Sequence, residues 1–160
     1  QADRYFFCQG LMRPKSVDQQ TRAEMLEGME VNYHSIVRAC DAIFARAAPV
    51  RICIIGSESG YRGSFDENYA TAKAMVHRYI ENRAPTHPAQ QIVGISPGII
   101  GDAGMTIRRT DVERLDMRRR EHPKKQFLTS YDVAILAKNL LYFQSDHITN
   151  QVIRMHGGLK

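Results

Sequence analysis

The sequence predicts a layered α/β fold, a parallel sheet with helices packed on both faces. Three observations predict it. Val50-Arg51-Ile52-Cys53-Ile54-Ile55 and Gln91-Ile92-Val93-Gly94-Ile95 are short, nearly continuous apolar runs rich in β-branched residues, as strands covered on both faces require. Between and around them lie longer segments with apolar residues at helical spacing. Strand and helix then alternate along the chain, the pattern of parallel crossover connections.

In chain order, Arg4-Tyr5-Phe6-Phe7-Cys8 is a first buried strand, stopped by Gln9-Gly10. Residues 11 to 17, with Pro14, read as a loop. Asp18 is a candidate cap for a helical stretch over 19–47, in which Met25, Leu26, Met29, Ile36, Val37, Cys40, Ile43 and Phe44 recur near helical spacing. Gly28 and the β-formers Val31-Asn32-Tyr33 predict a break or kink there. Asn32 competes for backbone bonds in mid-helix, so taken alone it reads as a surface residue. After strand 50–55, residues 56 to 66 form a loop holding Gly56, Gly60 and Gly63. Residues 67 to 83 are a helix, ended by Pro85 and Pro88. Strand 91–95 stops at Ser96-Pro97-Gly98, and Gly98, Gly101 and Gly104 mark a mobile segment before a basic helix. Thr129 or Ser130 caps a helix through about Phe143. Residues 148–155 form the last strand, before Gly157-Gly158. Without repeats or low-complexity tracts, residues 1–160 are expected to be one domain.

Composition narrows the function classes. A chain of 160 residues, 43% hydrophobic, can bury one substantial core. No apolar run is long enough to cross a bilayer, and no signal-peptide pattern stands at the N-terminus. Three cysteines without C-x-x-C spacing point to reduced thiols and a cytoplasmic setting, with Cys8 and Cys53 as core residues. The net charge of +5 mostly reflects residues 108 to 125, where arginines and lysines alternate with Asp111, Glu113, Asp116 and Glu121. Mixed signs and the lack of interleaved aromatics predict a solvated helix rather than a nucleic-acid surface. The six histidines show no H-E-x-x-H and no cysteine at metal-ligand spacing, so no metal site is expected.

One pair carries chemistry. Tyr69 and Lys73 are four apart on the 67–83 helix and share a face. A nearby ammonium favours phenolate over phenol, and Ser57, at the preceding strand end, could hold a substrate oxygen against that phenol. An exposed pair is the alternative, since Y-x-x-x-K is short. The glycine loop is no phosphate cradle. G-x-x-x-G-x-x-G is not the dinucleotide fingerprint, Glu58 would put a carboxylate beside the phosphates, and no G-x-x-x-x-G-K-[ST] occurs.

With these pieces in order, the chain resembles the C-terminal two-thirds of a short-chain dehydrogenase/reductase. Phe7-Cys8-Gln9-Gly10 stands where that family has Asn-Asn-Ala-Gly. Glu30-Val31-Asn32 matches the stretch with the catalytic asparagine, and Ile54-Ile55-Gly56-Ser57-Glu58-Ser59-Gly60 the strand end with the catalytic serine. Tyr69-Ala70-Thr71-Ala72-Lys73 matches Y-x-x-[AS]-K, and Ser96-Pro97-Gly98-Ile99-Ile100 the Pro-Gly segment. Ile148-Thr149-Asn150-Gln151-Val152-Ile153, with Gly157-Gly158, matches I-T-G-Q-x-x-x-x-x-G-G.

The resemblance implies a Rossmann-like three-layer fold whose first strands and glycine fingerprint would precede residue 1. It implies Tyr69 as acid/base, Lys73 lowering its pKa and binding the nicotinamide ribose, Ser57 orienting the carbonyl, and an inward Asn32 holding a relay water. Gly10, Pro97, Gly98 and Ile100, with Tyr69 and Lys73, would contact NAD or NADP, and the Ile100 backbone would meet the carboxamide. The substrate would be a small carbonyl compound or secondary alcohol. Homodimers or homotetramers would form through helices 19–47 and 67–83. Taken alone, the 160 residues are expected to be inactive, with the edge of strand 4–8 unpaired. Several positions depart from the pattern. Phe7, Cys8 and Gln9 replace Asn-Asn-Ala, Asp102 stands for a threonine, and Asn150 replaces a glycine. The interval from Ser57 to Tyr69 is one residue short, which leaves Ser59 as an alternative. A non-catalytic interaction module and a nucleic-acid binder acting through 108–125 are the readings from other classes.

Overall fold

The computed structural model describes residues 3–142 and 147–159. Four strands, β1 (Arg4–Phe7), β2 (Val50–Ile55), β3 (Gln90–Pro97) and β4 (Gln151–Met155), form one parallel sheet in the order β1-β2-β3-β4. Every residue of β3 is buried, as its continuous apolar run predicts. It runs on through Pro97 because Ser96 and Pro97 pair with Arg154 and Met155 of β4. Cys8 lies past the end of β1 and is exposed, against the expectation of a core residue; there the chain has already left the sheet. Cys40 and Cys53 are buried, and burial pushes both thiols up to about 12.

The helices make the two outer layers. On one face, Ile36, Cys40 and Phe44 of α2 (Ser35–Phe44) and Val76 and Ile80 of α4 (Glu67–Asn82) pack on Val50, Ile52, Ile54 and Ile92. On the other, Val133, Ala137, Leu140 and Leu141 of α7 (Ser130–Tyr142) cover Cys53, Val93 and Ile95. Alternate residues of one strand thus serve opposite layers. The end expected for α7, Phe143, lies outside the described residues.

The long helical stretch is three pieces. α1 (Arg22–Met29) leads without a break through a π turn, Glu30–His34, into α2. Its cap is Thr21 rather than Asp18. Thr21 Oγ1 accepts from the Glu24 amide and Glu24 accepts from the Thr21 amide, a reciprocal box that Asp18, inside a 3-10 turn at Val17–Gln19, has no part in. The π turn stands where Gly28 and the β-formers predict a kink. The loop after β2 holds a short helix absent from the sequence reading, α3 (Ser59–Arg62). Beyond β3 come α5 (Gly104–Ile107) and α6 (Val112–Glu121), neither with a buried residue. On α6 and beside it, Asp111 pairs with Arg109, and Asp116 with Arg119 and Arg120, as a solvated helix requires. Among the described residues no helix is long and apolar enough to cross a membrane.

Candidate active site

The candidate residues lie beyond the C-terminal ends of the strands, where ligands bind in open α/β sheets. Asp66 caps α4 by accepting from the Tyr69 amide at 3.1 Å. This sets the first turn of the helix against the loop that follows β2. Tyr69 is 7% exposed, and the Ser57 side chain stands close enough to its phenol to act on it. The Ser57 oxygen also accepts from the Ser59 amide at 3.1 Å. Of the two serines, Ser57 is the one whose side chain acts on the Tyr69 phenol, while Ser59 starts α3.

Lys73 is 1% exposed. Its Nζ donates to the Ile55 carbonyl at 2.9 Å and to the Gln9 carbonyl at 3.4 Å, tying the ends of β2 and β1 together. It lies 5.8 Å from the centre of the Tyr69 ring. Burial pushes its pKa down to about 8, opposed by Cys8. The phenol itself does not move as the sequence reading expected. Burial raises the Tyr69 pKa, the neighbouring Ser57 hydroxyl opposes the rise, and the Asp66 charge adds to it. Removing a phenolate from water outweighs the favourable contacts offered to it.

Asn32 is fully buried on the π turn. Its Nδ2 donates to the Leu11 carbonyl at 2.7 Å and its Oδ1 accepts from the Leu11 amide at 2.9 Å. It therefore pins the chain just after Gly10. A Cβ at Gly10 would stand 3.8 Å from Asn32 Oδ1, 4.0 Å from Lys73 Nζ and 2.9 Å from Cε of Met105. Met105 of α5 thus fills the space that the missing Gly10 side chain leaves beside the Lys73 ammonium. Pro97 is buried, and its carbonyl accepts from the Glu58 amide at 3.0 Å. Gly98 donates to the Met155 carbonyl. Ile100 forms a bridge with Leu128, and its side chain packs on the α7 side of the core, away from the helix that carries Tyr69.

Several residues here escaped the sequence reading. Glu58, weighed there only as an obstacle to phosphate, is a buried anchor. It accepts from Ser96 Oγ at 2.9 Å and from Arg154 Nε at 3.0 Å and Nη2 at 2.5 Å. Burial pushes its carboxyl up, but the Arg154 and Ser96 hydrogen bonds together bring it below its ordinary value. Asp102, standing for a threonine, turns to α7 and accepts from the Ser130 amide and hydroxyl at 2.7 and 2.5 Å. Asn150, standing for a glycine, keeps a glycine-like φ of 55° and donates Nδ2 to the carbonyls of Ile80 and Arg83, both at 2.8 Å, closing the end of α4. Among the described residues no group of three or more His, Cys, Asp or Glu side chains could hold a metal ion.

A parallel sheet layered by helices, with a Ser-Tyr-Lys cluster past its strand ends, defines the class as Rossmann-like α/β. Among solved structures this fold is shared with short-chain dehydrogenases/reductases. A family oxidoreductase from Burkholderia thailandensis matches at TM-score 0.81 and 21% identity. A glucose/ribitol dehydrogenase-type member from Brucella melitensis matches at 0.84 and 22%. A 3-oxoacyl (acyl-carrier-protein) reductase from Agrobacterium tumefaciens with NADP bound matches at 0.85 and 20%. Each likeness covers 98% of this chain but 64% of the other, so the chain spans less than two-thirds of their length. No family model and no curated protein sequence matches the chain.

Proposed function

We propose that the chain carries the proton-transfer centre of a nicotinamide-dependent oxidoreductase that reduces a carbonyl compound or oxidises a secondary alcohol. The observation that supports this best is a Ser57 hydroxyl close enough to act on the Tyr69 phenol, with the buried Lys73 ammonium 5.8 Å from the centre of its ring. Ser57 holds the substrate oxygen. Tyr69 gives its phenolic proton to that oxygen in reduction and takes it back in oxidation. Lys73 fixes the strand end before Ser57 and places a positive charge behind the phenol. Asn32 holds the Leu11 backbone and, with it, the wall at Gly10; a relay water beside it belongs to the same proposal.

NAD or NADP would supply or accept hydride when bound. Gly10, Tyr69, Lys73, Pro97, Gly98 and the Ile100 backbone would hold its nicotinamide end. The 160 residues alone offer no glycine fingerprint for the diphosphate, so turnover is assigned to a longer protein, acting in the cytoplasm as a homodimer or homotetramer. The test is to incubate the full-length protein with NADH or NADPH and a panel of aldehydes and ketones. Loss of reduced-nicotinamide absorbance with one of them is the expected result. Failure of both nucleotides to bind at millimolar concentration would remove the oxidoreductase reading.

A further inference from the structure

α4 presents a third side chain on the face that carries Tyr69 and Lys73. His77 stands four residues beyond Lys73 and eight beyond Tyr69, one more step along the same side of the helix. It is 3% exposed, and its Nε2 accepts from the Ser57 amide at 3.3 Å. A Cβ at Gly60 would come within 2.7 Å of its Cε1, and one at Gly56 would overlap Nε2, so the ring fills the space these glycines leave. Tyr61 stacks on it, with ring centres 4.6 Å apart and planes at 28°. Arg154, bound to Glu58, covers Tyr61 at 4.5 Å. Side chains one helical turn apart therefore grip successive groups of one short stretch, Lys73 the Ile55 carbonyl and His77 the Ser57 amide, while the Tyr69 phenol lies by the Ser57 side chain.

We propose that His77 is a positioning residue, whose neutral imidazole accepts the Ser57 amide and so holds the Ser57 hydroxyl against Tyr69. An accepting Nε2 leaves the ring proton on Nδ1. Protonation would instead set an N–H against the Ser57 N–H. The surroundings oppose that. Burial first, then the charges of Lys73, Arg154 and Arg78, push the His77 pKa down to about 4, with Glu58 opposing them. The effect on turnover rests on the proton-transfer reading of Ser57 and Tyr69; the tautomer and the hold on the loop do not.

The test uses the 15N-labelled full-length protein. In the native protein, between roughly pH 5 and 8, His77 should stay neutral with the proton on Nδ1. A proton on Nε2 in that range overturns the proposal. His77→Phe keeps a ring but removes the acceptor. It should speed hydrogen exchange at the Ser57 amide at least tenfold and lower kcat roughly 10- to 100-fold with KM little changed. His77→Gln, whose amide oxygen can reach the same donor, should recover most of both. A Phe variant with native exchange and native kcat overturns the proposal, and should that variant fail to fold, the tautomer decides alone. If the native protein shows no turnover, the tautomer and the exchange rate still judge the hold on Ser57.

Discussion

Lys73 donates its ammonium to the carbonyl of Ile55 at 2.9 Å, so a cation that is 1% exposed is fixed to the backbone two residues before Ser57. Burying that charge opposes folding, and the sign of the cost can be read from pH. With a pKa of about 8 folded against an ordinary 10.5, Lys73 binds fewer protons in the native state than in the unfolded chain between those values. Stability contributed by this group therefore rises as pH goes from 8 to 10.5. Compared with Lys73→Met in chemical denaturation, the native protein should gain about 3 kcal/mol across that window, at roughly 1.4 kcal/mol per pKa unit. A difference that stays level would place the Lys73 amine in water.

Asp66 joins the loop after β1 to the helix of Tyr69. It accepts from the amides of Tyr69 and Arg13 at 3.1 and 2.8 Å and from Gln20 Nε2 at 2.9 Å, and is 2% exposed. Asp66→Ala leaves three donors unpaired and should destabilise by about 2–4 kcal/mol. Asp66→Asn, which keeps one acceptor, should lose less. Urea midpoints of the two variants measure both.

Glu58 and Arg154 sit 96 residues apart in sequence and share a bidentate pair. Arg154→Met should destabilise at neutral pH, because it leaves a buried carboxylate with Ser96 alone. In a Glu58→Gln background the same change should lose much less, a coupling of about 1–3 kcal/mol in a double-mutant cycle. Because the Glu58 carboxyl lies below its ordinary 4.5 when folded, its contribution is present above that pH and fades as pH falls below it.

Asn150 combines a φ of 55° with two donated hydrogen bonds at the end of α4. Asn150→Gly keeps the backbone and loses the bonds, which should cost about 1 kcal/mol. Asn150→Ala adds a left-handed Cβ, a further 1–2 kcal/mol or roughly that. An alanine variant as stable as the glycine variant would show that the turn relaxes.

The layers and the cluster were legible for different reasons. β2 and β3 announce themselves because strands covered on both faces need unbroken apolar runs, and Tyr69 and Lys73 because a four-residue step fixes a shared face. Asn32 was not readable from propensity, which puts it on the surface. Its burial depends on a π turn that adds one residue to the helical ladder and on a backbone partner, Leu11, 21 residues away. His77 carried a weak signal, the same four-residue step repeated once more. A histidine on a helix face gives no hint of which amide it will meet. Glu58, Asp102 and Asn150 looked like misfits because their partners, Arg154, Ser130 and the end of α4, come from distant parts of the chain. The raised Tyr69 pKa was hidden too, since spacing reports a neighbouring charge but not how completely a ring leaves water.

The measurement that bears most directly on the account is Tyr69→Phe in the full-length protein. Turnover with NAD(P)H should fall at least about 100-fold while nucleotide affinity stays within a few-fold, the loss expected when a general acid is removed and its frame kept. A Phe variant that retains native turnover would contradict the proton-transfer role given to Tyr69, and with it the reading of Ser57 and Lys73.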